Sequence, residues 1–176
     1  RDQIAGYANR SDTNGLPLFR GLGSAEQPLQ GNSFLSQSGQ ASSGENSIAS
    51  TLDGTAAFMN VPTGNGVLAV SRDATTTGKV WTDVGQIIEP AAATAVTTPI
   101  KIVFAIDAAG ATTYSTDGGT TSLPYKSGEA ISVAGMNLTI TGTPANGDSF
   151  TIAPSQRSDI FSVLDKAIAV VSTAGN

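Results

Sequence analysis

The stretch AISVAGMNLTIT, residues 130–141, decides the fold of this chain more clearly than any other. Met136, Leu138 and Ile140 alternate with polar residues, which is the period of a strand with one face in a core. A two-residue Ala-Gly spacer separates this strand from the preceding run AISV, and that spacing predicts a tight hairpin. The chain is therefore predicted to be rich in antiparallel β-structure.

The segments on either side of this hairpin repeat the pattern of short strands and turns. Short strands are predicted over residues 16–19 and 58–61, and a tight turn over residues 63–66. Two further strands have alternating apolar positions: Ile100, Ile102, Phe104 and Ile106 in one, Phe150 and Ile152 in the other. Turns recur about every ten residues, a spacing typical of an antiparallel sandwich or barrel.

Helical patterns replace the β pattern at the two ends of the chain. Residues 1–10 place apolar residues on one helical face, and residues 158–171 (SDIFSVLDKAIAVV) form an amphipathic helix with Ser158 as its predicted N-cap. Apolar residues in this second helix follow the 3- and 4-residue steps of a coiled-coil seam. The candidate residues for helix packing and assembly are Ile160, Phe161, Leu164, Ala167, Ile168 and Val171.

These patterns predict a fold that is mainly β with terminal α-helices (α+β). An antiparallel β-sandwich or barrel-like outer domain would be inserted between two antiparallel helical segments. Residues 1–60 and 154–176 are predicted to form a discontinuous helical/β stem domain, and residues 61–153 a β-rich outer domain. Within the stem, residues 31–57 are rich in Gly, Ser, Asn and Gln, which favours irregular loops.

Composition excludes several classes of function. The chain contains no cysteine and no histidine, so nucleophilic triads and the commonest metal sites cannot be built from it. Only 13% of its 176 residues are charged, the net charge is −5 and no basic cluster occurs, which argues against nucleic acid as a partner. No apolar run reaches the roughly 20 residues that a membrane helix needs. We predict no enzymatic activity, no cofactor and no metal.

A few polar and aromatic residues remain as candidates for a site. Asp12 and Asn14 are spaced as in a calcium loop, but that loop's third oxygen ligand and distal Glu are absent, which favours a turn. Asp107, Asp117 and Asp148 lie close to glycines and are also predicted to be turn residues. Trp81 is either a recognition aromatic or a core residue, and the core interpretation is favoured.

Four segments together resemble a known family. They are GYANRSDTNGLPLFRG (6–21), FMNVPTGNG (58–66), GTPANGDSFTIAPS (142–155) and DIFSVL (159–164). Their order and content are similar to flagellar hook-associated protein 3, the hook–filament junction protein of the flagellin superfamily. Pro17 stands where that family usually has an aromatic residue, and Arg20 where it usually has a small one.

The resemblance implies an extracellular structural subunit of the bacterial flagellum, secreted by type III export and contributing to motility. The resemblance also implies that this sequence is a core fragment lacking the long terminal helices. Its implied partners are copies of itself, hook-associated protein 1, flagellin and an export chaperone for the missing termini. Because the sequence starts at Arg1 rather than Met, it is expected to be part of a longer protein. The fragment is expected to be monomeric by itself, because the terminal segments that drive assembly are missing from it.

Other classes remain open at this point. One is a surface-exposed β-module for binding, adhesin-like or phage-tail-like, with the helices as a stalk. Another is a different member of the flagellin superfamily, such as flagellin or hook-associated protein 1. A hydrolase that uses only carboxylates needs no histidine and is a further alternative. Long heptad-patterned helices on both sides of the sequence would favour the junction subunit.

Overall fold

The structure is a computed structural model that describes residues 1–35, 37–39 and 50–174. Part of the predicted loop over 31–57 therefore lies outside the described residues. In chain order the elements are α1 (Asp2–Ala8), β1 (Leu29–Gln30), β2 (Ser33–Phe34), a π-helical turn (Thr55–Met59), β3 (Val61–Pro62), β4 (Leu68–Arg72), β5 (Lys79–Thr82), β6 (Gln86–Ile87), α2 (Pro90–Thr94), β7 (Ile100–Ile106), β8 (Thr112–Ser115), β9 (Leu123–Pro124), β10 (Ala130–Val133), β11 (Met136–Thr143), β12 (Ser149–Pro154), β13 (Arg157–Ser158) and α3 (Ile160–Ala174).

The chain divides into two compact units. Arg1–Val61 and Arg157–Asn176 form the first, and Pro62–Gln156 form the second. The second unit contains a five-stranded sheet in the order β4-β12-β7-β8-β9 and a smaller sheet in which β11 pairs with β10, β5 and β6. The pairings within these two sheets are antiparallel, so the predicted mainly-β, antiparallel character is confirmed.

One apolar core serves both sheets of the second unit. Met136, Leu138 and Ile140 are fully buried, as their alternation predicts. They pack in the same cluster as core residues of the five-stranded sheet: Leu68, Ile102, Phe104, Phe150 and Ile152. The alternation in β7 holds only for its middle, because Ile106 lies half-exposed at the end of the strand.

The hairpin between β10 and β11 is confirmed. Its two turn residues, Ala134 and Gly135, have φ angles of 54° and 71°. Positive φ at both central residues is what a two-residue turn needs to match the twist of the flanking strands. Val133 pairs directly with Met136 across this turn, so it sets the register that buries the alternating face of β11.

The first unit has a smaller core built around aromatic rings. Ala8, Leu29 and Phe161 are buried in it. The ring of Phe58 lies 4.9 Å from that of Phe19, 5.5 Å from that of Phe34 and 6.1 Å from that of Phe161. Aromatic rings at such distances contribute stability beyond the area they bury.

Two predicted strands are wrong. Residues 58–61 are not a strand, since Thr55–Met59 form a π-helical turn that places Phe58 in the aromatic core and leaves only Val61–Pro62 extended. Residues 16–19 form no ladder, and near them the described residues have only isolated bridges, Ser11 with Pro17, Arg20 with Asp53 and Gly21 with Gln37. The bridge at Pro17 is flanked by bonds from the Asp12 N–H to the Leu16 carbonyl at 2.8 Å and from the Leu18 N–H to the Arg10 carbonyl at 2.9 Å. It extends no further because residues 18 and 19 form a turn.

Two predictions for single residues are also wrong. Ser158 is not the N-cap of α3, because the Asp159 carboxylate accepts the backbone N–H groups of Phe161 at 2.9 Å and Ser162 at 3.2 Å. Trp81 is not a core residue, since 61% of it is exposed. On β5 it is the buried Val80 that faces the core, so the next side chain must point to the opposite face of the sheet.

Candidate assembly surface

The α3 helix separates the six predicted seam residues into two groups. Ile160 and Phe161 lie in its first turn and pack into the aromatic core of their own unit. Phe161 has no exposed surface. Phe161 therefore stabilises the unit and is not available to a partner, whereas Ile160 packs against the same core but is only partly buried.

The other four seam residues form an open apolar surface further along the same helix. Leu164, Ala167, Ile168 and Val171, with Ser172, line a groove of about 280 Å³. Leu164 is partly buried, whereas Ile168 is 50% exposed and Val171 is 72% exposed. We call these four residues the distal seam. A helical stripe of this kind is normally buried against another element.

A polar cluster holds α3 at the boundary between these two groups. The Arg1 guanidinium forms a salt bridge with Asp165 at 2.8 Å and lies 5.9 Å from the centre of the Phe161 ring. Asn32 contacts Arg1 and donates to the same Asp165 carboxylate at 3.2 Å. The cluster thus links α1, the β1–β2 hairpin and α3 one turn after Phe161. The sequence pattern did not indicate these partners, because they lie far apart along the chain.

Asn9 is a second anchor that the sequence analysis missed. Its carboxamide accepts the backbone N–H of Leu29 at 2.8 Å and donates to the Leu29 carbonyl at 3.0 Å. This pair of hydrogen bonds satisfies the backbone N–H and carbonyl of Leu29, whose partner across the β1–β2 hairpin is Phe34. The end of α1 is fixed in this way against the hairpin that carries Leu29 into the core.

The acidic candidates act as turn residues. Asp12 Oδ1 accepts the N–H groups of Asn14 and Leu16 at 2.8 and 2.9 Å. Asp107 Oδ1 accepts those of Ala109 and Ala111 at 2.9 and 2.8 Å. These contacts are the local side chain–backbone bonds that favour Asp in turns. Among the described residues, no group of three or more acidic side chains is arranged to hold a metal ion.

Asp117 stabilises the exposed loop after β8. Its carboxylate accepts hydrogen bonds from the hydroxyl and the backbone N–H of Thr121 and from the hydroxyl of Ser115. These donors hold the pKa of Asp117 well below its ordinary value, with the Thr121 hydroxyl contributing most. The carboxylate is thereby kept ionised as the centre of the loop.

Asp148 has a different environment, since it is 1% exposed. Burial by itself raises the pKa of this carboxyl, but three backbone donors and the charge of Arg72 outweigh it, and the pKa is lowered. The donors are the N–H groups of Thr77, Gly78 and Ala145, at 2.8, 2.9 and 2.7 Å. Asp148 therefore joins its own turn to the loop before β5. Its role is structural.

Asp73, which the sequence did not single out, is the centre of a further network on the five-stranded sheet. Lys101 lies 2.8 Å from its carboxylate, and the hydroxyls of Ser149 and Thr151 each donate to it at 2.7 Å. These contacts, Lys101 first, lower the pKa of Asp73 from 3.8 to about 2. The network links the end of β4 to β12 and β7.

Trp81 remains the most exposed aromatic ring of the second unit. It pairs across the sheet with Thr141, so its ring stands on the face opposite the core. Within the described part of the chain, no helix is both long enough and apolar enough to span a membrane.

No protein-family model matches the chain, and no curated protein sequence matches it either. Solved structures do match it. The flagellar junction protein FlgL of Legionella pneumophila is 29% identical, with a TM-score of 0.78, over 96% of this chain and 60% of that chain. A structure of flagellar hook-associated protein 3 from the same organism is 28% identical, with a TM-score of 0.78, over 96% of this chain and 57% of that chain. FlgL of Xanthomonas campestris is 28% identical, with a TM-score of 0.72, over 96% of this chain and 56% of that chain.

The class of protein that this chain resembles is therefore that of the flagellar junction proteins. Within it, the resemblance to flagellar hook-associated protein 3 that the four sequence segments predict is confirmed. The chain spans less than two thirds of the length of each of these structures.

Proposed function

We propose that this chain is a structural part of the hook–filament junction of a bacterial flagellum, acts by subunit–subunit assembly and contributes to motility. The observation that carries the proposal is the match to flagellar junction proteins over 96% of the chain at 28–29% identity. The absence of cysteine and histidine from the sequence supports a structural rather than a catalytic role.

In this proposal the two compact units correspond to two domains. Arg1–Val61 with Arg157–Asn176 is the stem domain, and Pro62–Gln156 is the outer domain. We further propose that the two sheets of the outer domain form a sandwich. The single core cluster, which includes buried residues from both sheets, supports that arrangement.

The distal seam is the part of α3 that we assign to assembly. Leu164, Ala167, Ile168 and Val171 follow steps of 3, 1 and 3, and Leu164 and Val171 are one heptad apart, as in a coiled-coil contact. Burying apolar area against a second helix contributes roughly 25 cal/mol per Å², so this exposed stripe favours such a partner. Ile160 and Phe161 contribute indirectly, by fixing the start of the helix.

The proposed partners are copies of the same subunit, hook-associated protein 1 and flagellin, together with an export chaperone before assembly. The proposed location is the extracellular flagellum, reached by type III export. A chain without cysteine suits passage through an export channel as an unfolded polymer, since no disulfide can form on the way. No cofactor is part of this proposal.

The test uses the bacterium that encodes this chain. Deleting the gene should leave hooks without filaments and abolish swimming, and the full-length gene should restore both. Filaments that persist in the deletion strain would refute the junction function. A second strain carries Ile168→Gln and Val171→Gln, with Lys166→Gln as the matched control because Lys166 is also exposed on α3. If the double variant assembles filaments as the control does, the distal seam is not an assembly contact, whereas the junction function can still hold.

A further inference from the structure

The chain contains three Asn-Gly steps, at residues 14–15, 65–66 and 146–147. In such a step the asparagine side chain can react with the next backbone nitrogen, because glycine has no β-carbon to hinder the approach. The reaction requires the carboxamide to turn toward that nitrogen. Hydrogen bonds that hold the carboxamide elsewhere therefore slow it, and the three sites differ in this respect.

Asn65 is held most firmly. Its Oδ1 accepts the backbone N–H groups of Val67 and Leu68 at 3.1 and 2.9 Å, and its Nδ2 donates to the carbonyl of Gly85 at 3.2 Å. Asn146 has one such restraint, since its Oδ1 accepts the N–H of Ile106 at 3.1 Å. Both side chains must break these bonds before they can react.

Asn14 is exposed, and no described residue makes a hydrogen bond to its carboxamide. Its backbone is nevertheless fixed, because its N–H donates to Asp12 Oδ1 at 2.8 Å. Gly15 has a φ of 80°, and a β-carbon placed on it would meet no atom within 4 Å. The Gly15 N–H donates to the Asp12 carbonyl at 3.1 Å, and the glycines after Asn65 and Asn146 are bonded in the same way, to the carbonyls of Thr63 at 3.2 Å and Phe104 at 2.9 Å. The three backbone nitrogens are therefore alike, and the turn at Asn14 differs from the other two in its unrestrained carboxamide.

We propose that Asn14 is a site of spontaneous deamidation. The Gly15 N–H first leaves the Asp12 carbonyl and loses its proton to solvent base. The nitrogen then attacks Cγ of Asn14 and forms a C–N bond. The bond from Cγ to Nδ2 then breaks, and ammonia leaves with a proton taken from solvent. The resulting five-membered succinimide is opened by water at either carbonyl, which yields aspartate or isoaspartate at residue 14. The net reaction consumes one water and releases one ammonia.

Both products change the loop that contains the site. A carboxylate at residue 14 makes the net charge one unit more negative than −5 and places a second acidic group beside Asp12. Isoaspartate also inserts a methylene into the backbone. The loop is closed by the Asp12 N–H bond to the Leu16 carbonyl at 2.8 Å and by the Ser11–Pro17 bridge. A longer backbone between these points weakens that closure.

The experiment incubates the folded 176-residue chain at mildly alkaline pH and follows all three sites by peptide mapping and mass spectrometry. The Asn14 peptide should convert first, the Asn146 peptide more slowly, and the Asn65 peptide at least about tenfold more slowly than Asn14, because net hydrogen-bond energies must be lost before reaction. An Asn14→Gln variant is the control that should remove the fast product.

A parallel incubation in guanidinium chloride separates structure from local sequence. Once the chain is unfolded, the three sites should convert at rates within a few-fold of one another. The proposal is overturned if Asn14 reacts no faster than Asn65 in the folded protein. It is equally overturned if the folded-state order of rates persists unchanged in denaturant, since local sequence would then set the order.

Discussion

The Oδ2 atom of Asp148 accepts a hydrogen bond from the backbone N–H of Gly78 at 2.9 Å, and a β-carbon on residue 78 would lie only 2.4 Å from that oxygen. Glycine is therefore required there by the close approach of a buried carboxylate, although its φ angle is not positive. Two turns separated by 70 residues of sequence are joined by this contact, which makes Asp148 a sensitive point for the stability of the second unit.

Replacing Asp148 by Asn should destabilise the protein by roughly 2–4 kcal/mol, because an amide group cannot accept all three backbone donors and a buried donor is left unpaired. Urea unfolding followed by the fluorescence of Trp81, the only tryptophan, reports on this unit. Asp107→Asn is the matched control, since Asp107 also accepts two backbone donors but in an exposed turn. It should cost no more than about 1 kcal/mol. Equal losses for both variants would contradict the argument.

The Asp73 network predicts a loss of stability in acid. Its pKa is lowered to about 2 in the folded protein from 3.8, so between these values the unfolded state binds more protons. The contribution is therefore complete above about pH 4 and is lost as the pH falls toward 2. Because Lys101 is well exposed and its charge is screened, we expect about 1–2 kcal/mol. The free energy of unfolding measured from pH 2 to 5 should be flatter for Asp73→Asn than for the unmodified chain. An identical slope would exclude this role.

Substitutions in the two groups of seam residues on α3 should have very different effects on stability. Phe161→Ala should destabilise the first unit by about 3–5 kcal/mol, since a fully buried ring is removed from a small core. Val171→Ala should change stability by less than about 0.5 kcal/mol because the side chain is 72% exposed. Circular dichroism at the helix band follows α3 and hence this unit. A large effect of Val171→Ala would show that the distal seam is already buried in the isolated chain.

Two substitutions in the β10–β11 turn should change the stability of the protein in opposite directions. Ala134→Gly should stabilise the protein by up to about 1 kcal/mol, because alanine is strained at a positive φ. Gly135→Ala should destabilise it by at least about 2 kcal/mol, since the new β-carbon would lie 2.5 Å from the Glu89 carbonyl oxygen. Melting temperatures of the two variants test this directly. Shifts of the same sign would mean that the turn conformation is incorrect.

We expect the 176-residue chain to be monomeric at micromolar concentration. The distal seam spans only about two turns of α3, and isolated coiled-coil contacts of that length are marginal in water. Light scattering coupled to size exclusion measures the molar mass, and its expected value is that of one 17.7 kDa chain. A stable dimer that dissociates in the Ile168→Gln, Val171→Gln double variant would instead show that the distal seam pairs by itself.

The sequence pattern was sufficient to predict those elements whose geometry depends on neighbouring residues alone. The alternation of Met136, Leu138 and Ile140 and the two-residue spacer before them predicted β11 and its hairpin, because a period of 2 and a short turn are properties of neighbouring residues. The same reasoning found α3 from its 3- and 4-residue steps, and the four quoted segments were enough to indicate the family.

Tertiary structure decided what depends on residues far apart along the chain. Residues 58–61 have strand-like composition, yet the aromatic core of Phe19, Phe34 and Phe161 places Phe58 on a π-helical turn. Trp81 is exposed because Val80, the residue before it in β5, faces the core. Successive side chains of a strand point to opposite faces of the sheet, so the two cannot both be buried in one core. The seam on α3 is a prediction from the sequence, whereas the salt bridge between Arg1 and Asp165 joins residues far apart along the chain, which only the folded chain brings into contact.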